Sequence, residues 1–435
     1  MNTTRHYGRE AVELGYRAIK VLVLAPSFPA INQPWIDTYL EQLLRQGFEP
    51  LIFTCNSSPG KYSEKVDRLN LRQHIVDIDL RGPAFVRAFV KSIVTCPWKC
   101  IESIAKSFRV TRLLAGKYSV SFLPTFLKTL RFGFSCPEFE QVDIIHSHDE
   151  VLAFEFLLCG LMLGKPLVYT FHGLQPKGVP PLADAKRRAL YGEVSTVLVN
   201  TEFSKQQVQH IGCPPGKAHV LPQGLPLEDF PFVPRPAPGK NESVSLLTVG
   251  RYHADKGQRY ALLALRRLRD RGVDAYWHFV GVGPDMGNLV AFAERYGVGQ
   301  HSIFHSSLNL VEILNLYQRC DLFILPSLSS RIDNRHVETQ GVVLQEAQAS
   351  GCIPIATKVG GIPECLHDKE DAILVKDRSS RAIADAVCYL LYRPDEWACY
   401  QEKGRHNVER NFSADVIGRS MAKILTGVVQ EKRSV

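Results

Sequence analysis

Two glutamates are spaced so that they could hold the two ends of one elongated polar ligand. Glu338 precedes a predicted helix that begins near Gly341, and Glu346 lies on the second turn of that helix. A carboxylate only accepts hydrogen bonds, so each glutamate can take both hydroxyl protons of a vicinal diol, such as a ribose or a hexose. The backbone N–H groups of Gly341 and Val342 at the helix start favour a diphosphate between the two sugars. Acidic residues beside a helix start are also ordinary partners of the helix dipole, so this spacing alone does not identify a ligand site.

Two basic residues strengthen the case for a diphosphate. Arg251 and Lys256 lie between Gly250 and Gly257, directly after a predicted strand at 245–249. The guanidinium of Arg251 can bind two phosphate oxygens at once, and Lys256 adds a compact positive charge. A diphosphate that leaves a sugar needs such neutralisation as its bond breaks. A surface arginine and lysine would have no such meaning, but the strand end and the two glycines favour the ligand site.

Three histidines lie at the predicted carboxyl ends of two strands. His146 and His148 belong to the first strand and point to one side by strand alternation, whereas His172 follows the next strand. A metal site is not favoured, because no carboxylate or cysteine with familiar spacing completes a ligand shell. A hydrogen-bonded core position is the alternative for His146. Asp149 and Glu150 sit where the loop should turn away, so no carboxylate of this half is predicted to act as a covalent nucleophile.

The apolar runs that must position these residues alternate with helical patterns. Short strands are predicted in the first half at residues 19–24, 51–54, 143–146, 166–170 and 196–200. Repeated strand–helix units specify a parallel sheet flanked by helices. A second series of such units starts at 245–249, after a stretch that contains four prolines between 231 and 238. We therefore predict an α/β protein with two doubly wound, Rossmann-like domains, which face each other across a cleft where ligands bind.

The same patterns predict the domain boundaries. They give a flexible tail (1–18), a first domain (19–228), a proline-rich linker (229–243), a second domain (244–412), and a final helix (413–435) that crosses back to the first domain.

Composition limits the class of protein. With 435 residues and 45% apolar content, the chain is long enough for two cores and too hydrophobic to be disordered. Charged or polar residues interrupt every window long enough to span a membrane, and the first 20 residues do not have the pattern of a signal peptide. The 11 cysteines are scattered without metal-ligand spacing, which favours a reducing cytoplasm.

The formal charge of +8 comes from one segment, within a predicted insertion at 81–136. Between Arg81 and Arg131, lysines and arginines alternate with apolar residues at roughly helical spacing, against the single acid Glu102. Such a face suits an anionic membrane, so we predict peripheral contact through 81–131 at the inner face of the plasma membrane. An insertion packed on the first domain with a solvated basic face is the alternative. Nucleic-acid binding is not favoured, because no base-reading module accompanies the charge.

Several segments together resemble the retaining glycosyltransferases of family four, which have the GT-B fold. The resemblance extends over residues 21–412, and it is carried by Val21 to Pro29, Asp143 to His148, Tyr169 to Gly173, Val249 to Gly257, Val280 to Pro284, Glu338 to Glu346 and Gly360 to Glu364. The start of the chain looks like that of members that build exopolysaccharide units on lipid carriers, as in colanic-acid biosynthesis. Where these usually have a Ser-Glu-Thr run, this chain has Asn32, Gln33 and Pro34.

The resemblance implies a role for each motif. Arg251 and Lys256 would hold the diphosphate of a nucleotide-sugar donor, which the resemblance implies is UDP- or GDP-linked. Glu346 would bind the ribose and Glu338 the transferred sugar. The donor site would also include Gly250, Gly283, Gly341, Val342, Gly360 and Gly361.

The resemblance also implies an acceptor side and a reaction. His148 would contact the reacting sugar or the acceptor, with His172 beside the acceptor entry, and the first loop would contribute Ser27, Pro29 and Asn32. A hexose would be transferred to a lipid-linked or glycan acceptor with retention of configuration, without a cofactor or an obligatory metal.

Other classes remain as alternatives. A sugar-nucleotide epimerase of the same fold needs an acid/base pair in the first domain, and the sequence does not identify one. A non-catalytic sugar-nucleotide-binding protein would not need the complete set of Arg251, Lys256, Glu338 and Glu346. A phosphorylase-like enzyme would need a cofactor-binding lysine and a longer chain.

Overall fold

The computed structural model describes residues 17–29, 34–56, 64–76, 82–135, 137–174, 182–329 and 337–434. Within these ranges the chain forms two parallel six-stranded sheets. Alternate residues of β1 (Lys20–Ser27) enter two different hydrophobic clusters, with Leu22 and Leu24 in one and Val21 and Val23 in the other. Helices therefore cover both faces of the first sheet, as expected when strands join through helical crossovers.

The first sheet has the order β2-β1-β3-β4-β5-β6. Its further strands are β2 (Glu49–Asn56), β3 (Ile144–Ser147), β4 (Leu167–Phe171), β5 (Thr196–Val199) and β6 (Ala218–Val220). Its helices are α1 (Pro34–Arg45), α2 (Glu64–Arg68), α3 (Gly82–Thr95), α4 (Pro97–Tyr118), α5 (Phe122–Ser135), α6 (Glu150–Leu163), α7 (Asp184–Glu193) and α8 (Glu202–His210). The strand order reverses between β1 and β3, and this reversal opens a crevice at the carboxyl ends of these strands.

The segment after β2 forms a helical unit of α3, α4 and α5. Val110 and Leu114 of α4 and Phe132 of α5 are buried in the core cluster of the first domain. The opposite side of the unit faces solvent. The insertion predicted from the sequence is thus three packed helices, of which residues 82–135 are described.

The second sheet has the order β12-β11-β10-β7-β8-β9, in which the first strand of the domain lies next to the fourth. Its strands are β7 (Val244–Val249), β8 (Ala275–Val280), β9 (Ser302–His305), β10 (Leu322–Leu325), β11 (Ile353–Thr357) and β12 (Ile373–Val375). Its helices are α9 (Gln258–Asp270), α10 (Met286–Arg295), α11 (Leu310–Arg319), α12 (Val342–Ser350), α13 (Ile362–Cys365), α14 (Ser380–Leu391) and α15 (Trp397–Asn411). The switch point between β7 and β10 is where dinucleotide-binding folds of this strand order hold their ligand.

The chain passes between the two domains twice, at neighbouring points. Leu225 donates its N–H to the Phe412 carbonyl at 2.7 Å, and its own carbonyl accepts from Ala414 at 2.8 Å. The last helix, α16 (Ala414–Ser434), buries Met421 and Leu425 in a cluster with Val21 and other residues of the first sheet. The first domain is therefore completed by residues from the end of the chain.

The architecture confirms the predicted fold class, two doubly wound Rossmann-like domains of the GT-B type. The helix predicted from Gly341 begins one residue later, because Gly341 has a left-handed φ of +78° and caps the helix start. No described helix is both long and apolar enough to span a membrane. Residues 1–16 of the predicted tail and the ends of the predicted insertion, Arg81 and Cys136, lie outside the described residues.

Candidate donor and acceptor sites

The loop after β7 places Lys256 in contact with Glu338. Lys256 ends a short helical turn at Ala254–Lys256, and its Nζ forms an ion pair with Glu338 Oε1. Ser327, two residues after β10, donates its hydroxyl to the same oxygen at 3.1 Å. Both side chains of the ion pair are largely buried. Lys256 and Glu338 are thus held at the β7–β10 switch point, although 82 residues separate them in sequence.

Arg251 lies on the same loop but extends into solvent. Its side chain is 55% exposed, and its Nη2 lies 3.6 Å from Asp255 Oδ2. Gln258 fixes the backbone beneath it by donating to the Arg251 carbonyl at 2.8 Å. A long, mostly exposed guanidinium beside a buried lysine is able to approach a phosphate that enters from solvent.

Glycines let two further loops pack closely, one on the Glu338 backbone and the other on the loop that carries Lys256. Gly361 donates its N–H to the Glu338 carbonyl at 2.9 Å. Gly360 has a left-handed φ of +56°, and a Cβ there would overlap the same carbonyl oxygen. Gly283 lies against the backbone of Tyr252, where a Cβ would come within 2.8 Å of the Tyr252 nitrogen. Larger residues at Gly360 or Gly283 would push these loops apart.

Glu346 lies on α12 and has a tyrosine partner. The hydroxyl of Tyr317, which is 1% exposed, donates to Glu346 Oε2 at 2.8 Å. Burial raises the pKa of Glu346, and the hydrogen bond from Tyr317 partly offsets this effect. One oxygen of the carboxylate is therefore oriented by the protein, while Oε1 has no hydrogen bond to a described residue and can accept from a ligand hydroxyl.

The predicted histidines cluster in the first domain with two aromatic residues of α1. His148 Nδ1 lies 3.3 Å from His172 Nε2, and the Trp35 ring packs against both imidazoles at centroid distances of 4.9 and 4.6 Å. Both ring nitrogens of His146 are occupied, by the Tyr39 hydroxyl at 2.5 Å and by Thr170 at 2.8 Å. His146 is 1% exposed, so it has the hydrogen-bonded core position considered above.

Burial also makes these histidines poor bases. It lowers the pKa of His146 to about 3 and that of His172 to about 4, and it lowers the pKa of His148 well below its ordinary value. All three are thus neutral near pH 7. His148 Nε2 is buried and has no hydrogen-bond partner in the part of the chain that the structure describes. An uncharged imidazole with one nitrogen unused can orient a hydroxyl but contributes little charge.

The remaining acceptor-side residues lie at the end of β1. Ser27 is the last residue of that strand, and Pro29 is buried after a cis peptide bond with Phe28. Asn32 lies outside the described residues. Gly173 follows His172 in the first domain. It packs closely on the loop after Glu338, on the other side of the cleft, so that a Cβ at Gly173 would come within 3.1 Å of Thr339 Cγ2. The histidine cluster and the Glu338 loop therefore border the same cleft.

The two carboxylates next to His148 both have structural partners. Asp149 caps α6 by accepting from the Leu152 N–H at 2.8 Å. Glu150 is 5% exposed and accepts from Arg187 at 2.9 and 3.0 Å and from Tyr191 at 3.1 Å. Neither is available as a nucleophile in this arrangement.

Sequence reasoning did not find the residues that orient the predicted ones. Tyr317 lies 29 residues from Glu346, and Tyr39 lies 107 residues from His146. Ser327 is only 11 residues before Glu338, but no role was predicted for it or for Trp35. The only available signal was position: Ser327 follows a strand that a doubly wound order places beside β7. Trp35 stands at the start of the first helix, where residues at the crevice are expected.

Two family models match the chain, one after the other. Residues 35–229 match Glycosyltransferase Family 4, and residues 233–407 match Glycosyl transferases group 1. A putative colanic acid biosynthesis glycosyltransferase, WcaL of Escherichia coli K12, is 26% identical over 269 residues, which are 61% of this chain and 65% of that protein. The D-inositol 3-phosphate glycosyltransferase of Corynebacterium glutamicum is 27% identical over 328 residues, 67% of this chain and 75% of that protein.

Solved structures agree in fold. Anabaena Alr3699/HepE in complex with UDP and glucose superposes with a TM-score of 0.67 at 16% identity, over 94% of this chain and 100% of that one. Sucrose-phosphate synthase from Thermosynechococcus elongatus gives a TM-score of 0.68 at 16% identity, over 95% and 100%. These similarities establish the GT-B architecture, and the two family models, which follow each other through both domains, show that the chain consists of a Glycosyltransferase Family 4 domain followed by a Glycosyl transferases group 1 domain.

Proposed function

We propose that this protein is a retaining hexosyltransferase, which moves a hexose from a UDP- or GDP-sugar to a lipid-linked or glycan acceptor in exopolysaccharide biosynthesis. The observation that carries the proposal is the convergence of Lys256 and Ser327 on Glu338 at the β7–β10 switch point. Glu346, oriented by Tyr317, lies eight residues further along the same loop and helix. The bound UDP of the Anabaena protein and the colanic-acid role in the name of the Escherichia coli protein support this choice.

The ion pair between Lys256 and Glu338 neutralises both charges while no donor is bound. Hydroxyls of the transferred sugar can donate to Glu338, and Lys256 then turns its charge towards the diphosphate. Arg251 approaches the same phosphates from the solvent side. As the bond between the sugar C1 and the phosphate oxygen breaks, the two cations stabilise the negative charge that develops on the leaving group.

The resemblance to a retaining family supports retention. The described first-domain carboxylates that border His148 favour a front-face reaction over a covalent intermediate, because neither is available as a nucleophile. Asp149 and Glu150 are engaged in a helix cap and in an ion pair. The acceptor oxygen then bonds to C1 on the face that the phosphate leaves, and the leaving phosphate oxygen takes the acceptor proton. The neutral His148 orients the sugar or the acceptor without exchanging a proton. No resident metal or cofactor takes part in these steps.

The test is nucleotide release from a panel of UDP-, GDP- and ADP-sugars, with membrane extract as acceptor. We expect release from one donor class and none from Glu346→Gln, whereas the exposed control Glu402→Gln on α15 keeps full activity. NMR of the product should show the anomeric configuration of the donor. An inverted product, or a glycosyl adduct on Asp149 or Glu150 in mass spectra, would refute the retaining front-face reaction. No release from any donor would favour the non-catalytic binding protein.

Membrane contact is the second part of the proposed function. Of the 21 exposed large hydrophobic side chains among the described residues, 12 lie between Val86 and Leu127 on α3, α4 and α5. Val94 and Trp98, at the junction of α3 and α4, are each 79% exposed. Monomeric proteins rarely expose such a concentration of apolar surface without a partner. This favours a membrane-facing unit over an insertion whose outer face is only solvated.

The charges around this surface fit an anionic bilayer. Arg87, Lys91, Arg109 and Arg112 are exposed and form no ion pair with a described residue. Lys106 pairs with Glu102 at 2.7 Å, the single acid of the segment. Basic side chains beside apolar ones favour the headgroup region of membranes with anionic lipids, each adding about 1 kcal/mol. The enzyme would then act at the inner face of the plasma membrane, beside a lipid-linked acceptor.

Vesicle sedimentation tests this contact. We expect the protein to bind vesicles that contain phosphatidylglycerol and to bind pure phosphatidylcholine vesicles weakly. The combined changes Lys91→Glu, Lys99→Glu, Lys106→Glu and Arg109→Glu should abolish binding. Trp98→Ser should weaken binding, while Tyr392→Ser, an equally exposed aromatic on the second domain, should not. Unchanged binding of the fourfold variant would contradict a membrane-facing role.

A further inference from the structure

The loop between the two donor glutamates is held by the opposite domain. The Thr201 hydroxyl, in the turn before α8, donates to the Thr339 carbonyl at 2.8 Å, and Asn200 lies 3.4 Å from the Thr339 hydroxyl. The next residue, Gln340, contacts Gln223 after β6. Two successive residues that follow Glu338 are therefore bound to first-domain groups, and within its own domain Gln340 adds only a longer bond, at 3.4 Å, to Gln345 Oε1.

Gln340 forms the most complete of these contacts. Its Oε1 accepts from the Gln223 N–H at 2.7 Å, and its Nε2 donates to the Gln223 carbonyl at 3.0 Å. The side chain is 1% exposed, so these bonds are shielded from water. A primary amide offers a donor and an acceptor side by side without needing to be protonated, which is what the N–H and the carbonyl of one residue require for two such bonds.

Gln223 is placed where the chain crosses between the domains. It lies two residues before Leu225, whose N–H and carbonyl bond to Phe412 and Ala414 at the two crossings. Gly224 leaves no space there, because a Cβ would come within 2.9 Å of the Ala414 Cα. Gln340 is thus fixed to the hinge, and a change in the angle between the domains must move Gln340 or break its two bonds.

A second contact ties the neighbouring glycine loop to the same domain. Glu364 accepts from the N–H groups of Glu202 and Phe203, at 2.6 and 2.7 Å, at the start of α8. The loop from Gly360 to Glu364 also holds Glu338 through the Gly361 N–H. Both loops around Glu338 therefore follow the position of the first domain.

We infer that Gln340 is a positioning residue. It fixes the Glu338 loop to the hinge at Gln223, so that the sugar-binding carboxylate of Glu338 is in place when the domains are closed. The inference rests on the proposed function and deepens it. It concerns the sugar end of the donor: the nucleotide end depends on Glu346 and Tyr317, which lie within the second domain. Loss of the Gln340 contact should therefore reduce transfer more than it reduces nucleotide binding.

If Gln340 only stabilised the fold, another buried glutamine of the second domain would have the same effect when substituted. The chain offers such a residue as a matched control. Gln348 on α12 is also 1% exposed. It accepts from Asn407 at 3.1 Å and donates to the Asp371 carbonyl at 3.3 Å, so its bonds stay within the second domain. Gln340→Met and Gln348→Met each remove buried amide hydrogen bonds with little change in volume.

The experiment compares these two variants with the wild type by hydrogen exchange, nucleotide binding and kinetics. In Gln340→Met we expect faster amide exchange in both 221–225 and 337–341, an unchanged Kd for the nucleoside diphosphate of the active donor, and a kcat about tenfold lower. In Gln348→Met the exchange of 221–225 and the kcat should stay within twofold of the wild type.

Two outcomes would overturn the inference. One is an equal loss of kcat in both variants, which would reflect stability rather than positioning. The other is unchanged exchange at 221–225 in Gln340→Met, which would mean that the hinge does not depend on the contact. If the wild type transfers from no donor, the proposed function fails, and the exchange data alone then decide whether Gln340 couples the domains.

Discussion

Removal of the Tyr317 hydroxyl should weaken nucleotide binding without any loss of a residue that touches the nucleotide. Tyr317→Phe deletes the 2.8 Å hydrogen bond to Glu346 Oε2. Hydrogen bonds to charged groups contribute about 1.5–3 kcal/mol, and at most the lower end of this range should appear in binding, because the bond is also present without nucleotide. We expect the Kd for UDP or GDP to rise about tenfold at pH 7.

The pH dependence gives the sharper test. Burial raises the pKa of Glu346, and Tyr317 opposes this rise. If Glu346 binds the ribose as a carboxylate, as the proposed function requires, nucleotide affinity should fall as the pH drops through the raised pKa, and in Tyr317→Phe the fall should begin at a higher pH. Calorimetric titrations between pH 5 and 8 measure this shift. An identical pH profile and affinity in the variant would refute the role given to Tyr317.

The free energy of unfolding should depend on pH with the opposite sign to nucleotide affinity. A carboxyl whose pKa is raised by folding stabilises the fold when protonated, so this contribution is present below its ordinary pKa of about 4.3 and is lost as the pH rises through the raised value. Tyr317→Phe should therefore cost more stability at pH 7 than at pH 4. Tyr191→Phe, which removes the hydroxyl bonded to buried Glu150 in the first domain, is the matched control and should leave nucleotide affinity unchanged.

Two further predictions concern the glycine loop and the histidine cluster. Gly360→Ala should reduce transfer at least tenfold, because a Cβ would overlap the Glu338 carbonyl at a left-handed φ, whereas Gly427→Ala, in open space on α16, should have no effect on transfer in the same kinetic assay. Burial lowers the pKa of His146 to about 3, so this histidine becomes protonated between pH 7 and 5 only in the unfolded chain. The free energy of unfolding should therefore fall by about 2 kcal/mol over this range. Urea unfolding at both pH values measures this loss, and an equal loss in His146→Gln would contradict it.

The fold was predictable because its signals are local. Strands that are buried on both faces appear as short apolar runs, and the glycines that end helices mark the units between them. The proline-rich segment before Val244 separates the two series in the same way. Each of these signals lies within about ten residues of the element that it predicts.

The partners of the site residues could not be predicted, since they depend on strand order. Lys256 contacts Glu338 because β10 lies beside β7, an adjacency that no local pattern specifies. Tyr317 and Glu346 lie 29 residues apart, on separate helices. The contact of Gln340 with Gln223 requires in addition that the two domains meet in one orientation.

The surface of the insertion was partly predictable. Its charge and its apolar spacing could be read from the sequence, but the division of each helix between core and solvent could not. Val110 and Trp98 are both apolar residues of α4, and only packing on the first domain buries one and leaves the other exposed.

The return of α16 to the first domain has a consequence for synthesis of the protein. One face of the first sheet, which includes Val21 and Val23, is covered in part by Met421 and Leu425. On the ribosome the first domain emerges early, yet this face stays incomplete until residues 414–434 have been made, after the whole second domain. During that interval the nascent chain carries an exposed apolar surface of the kind that chaperones bind. A truncation that removes α16 would therefore destabilise the first domain, although α16 is far from that domain in sequence.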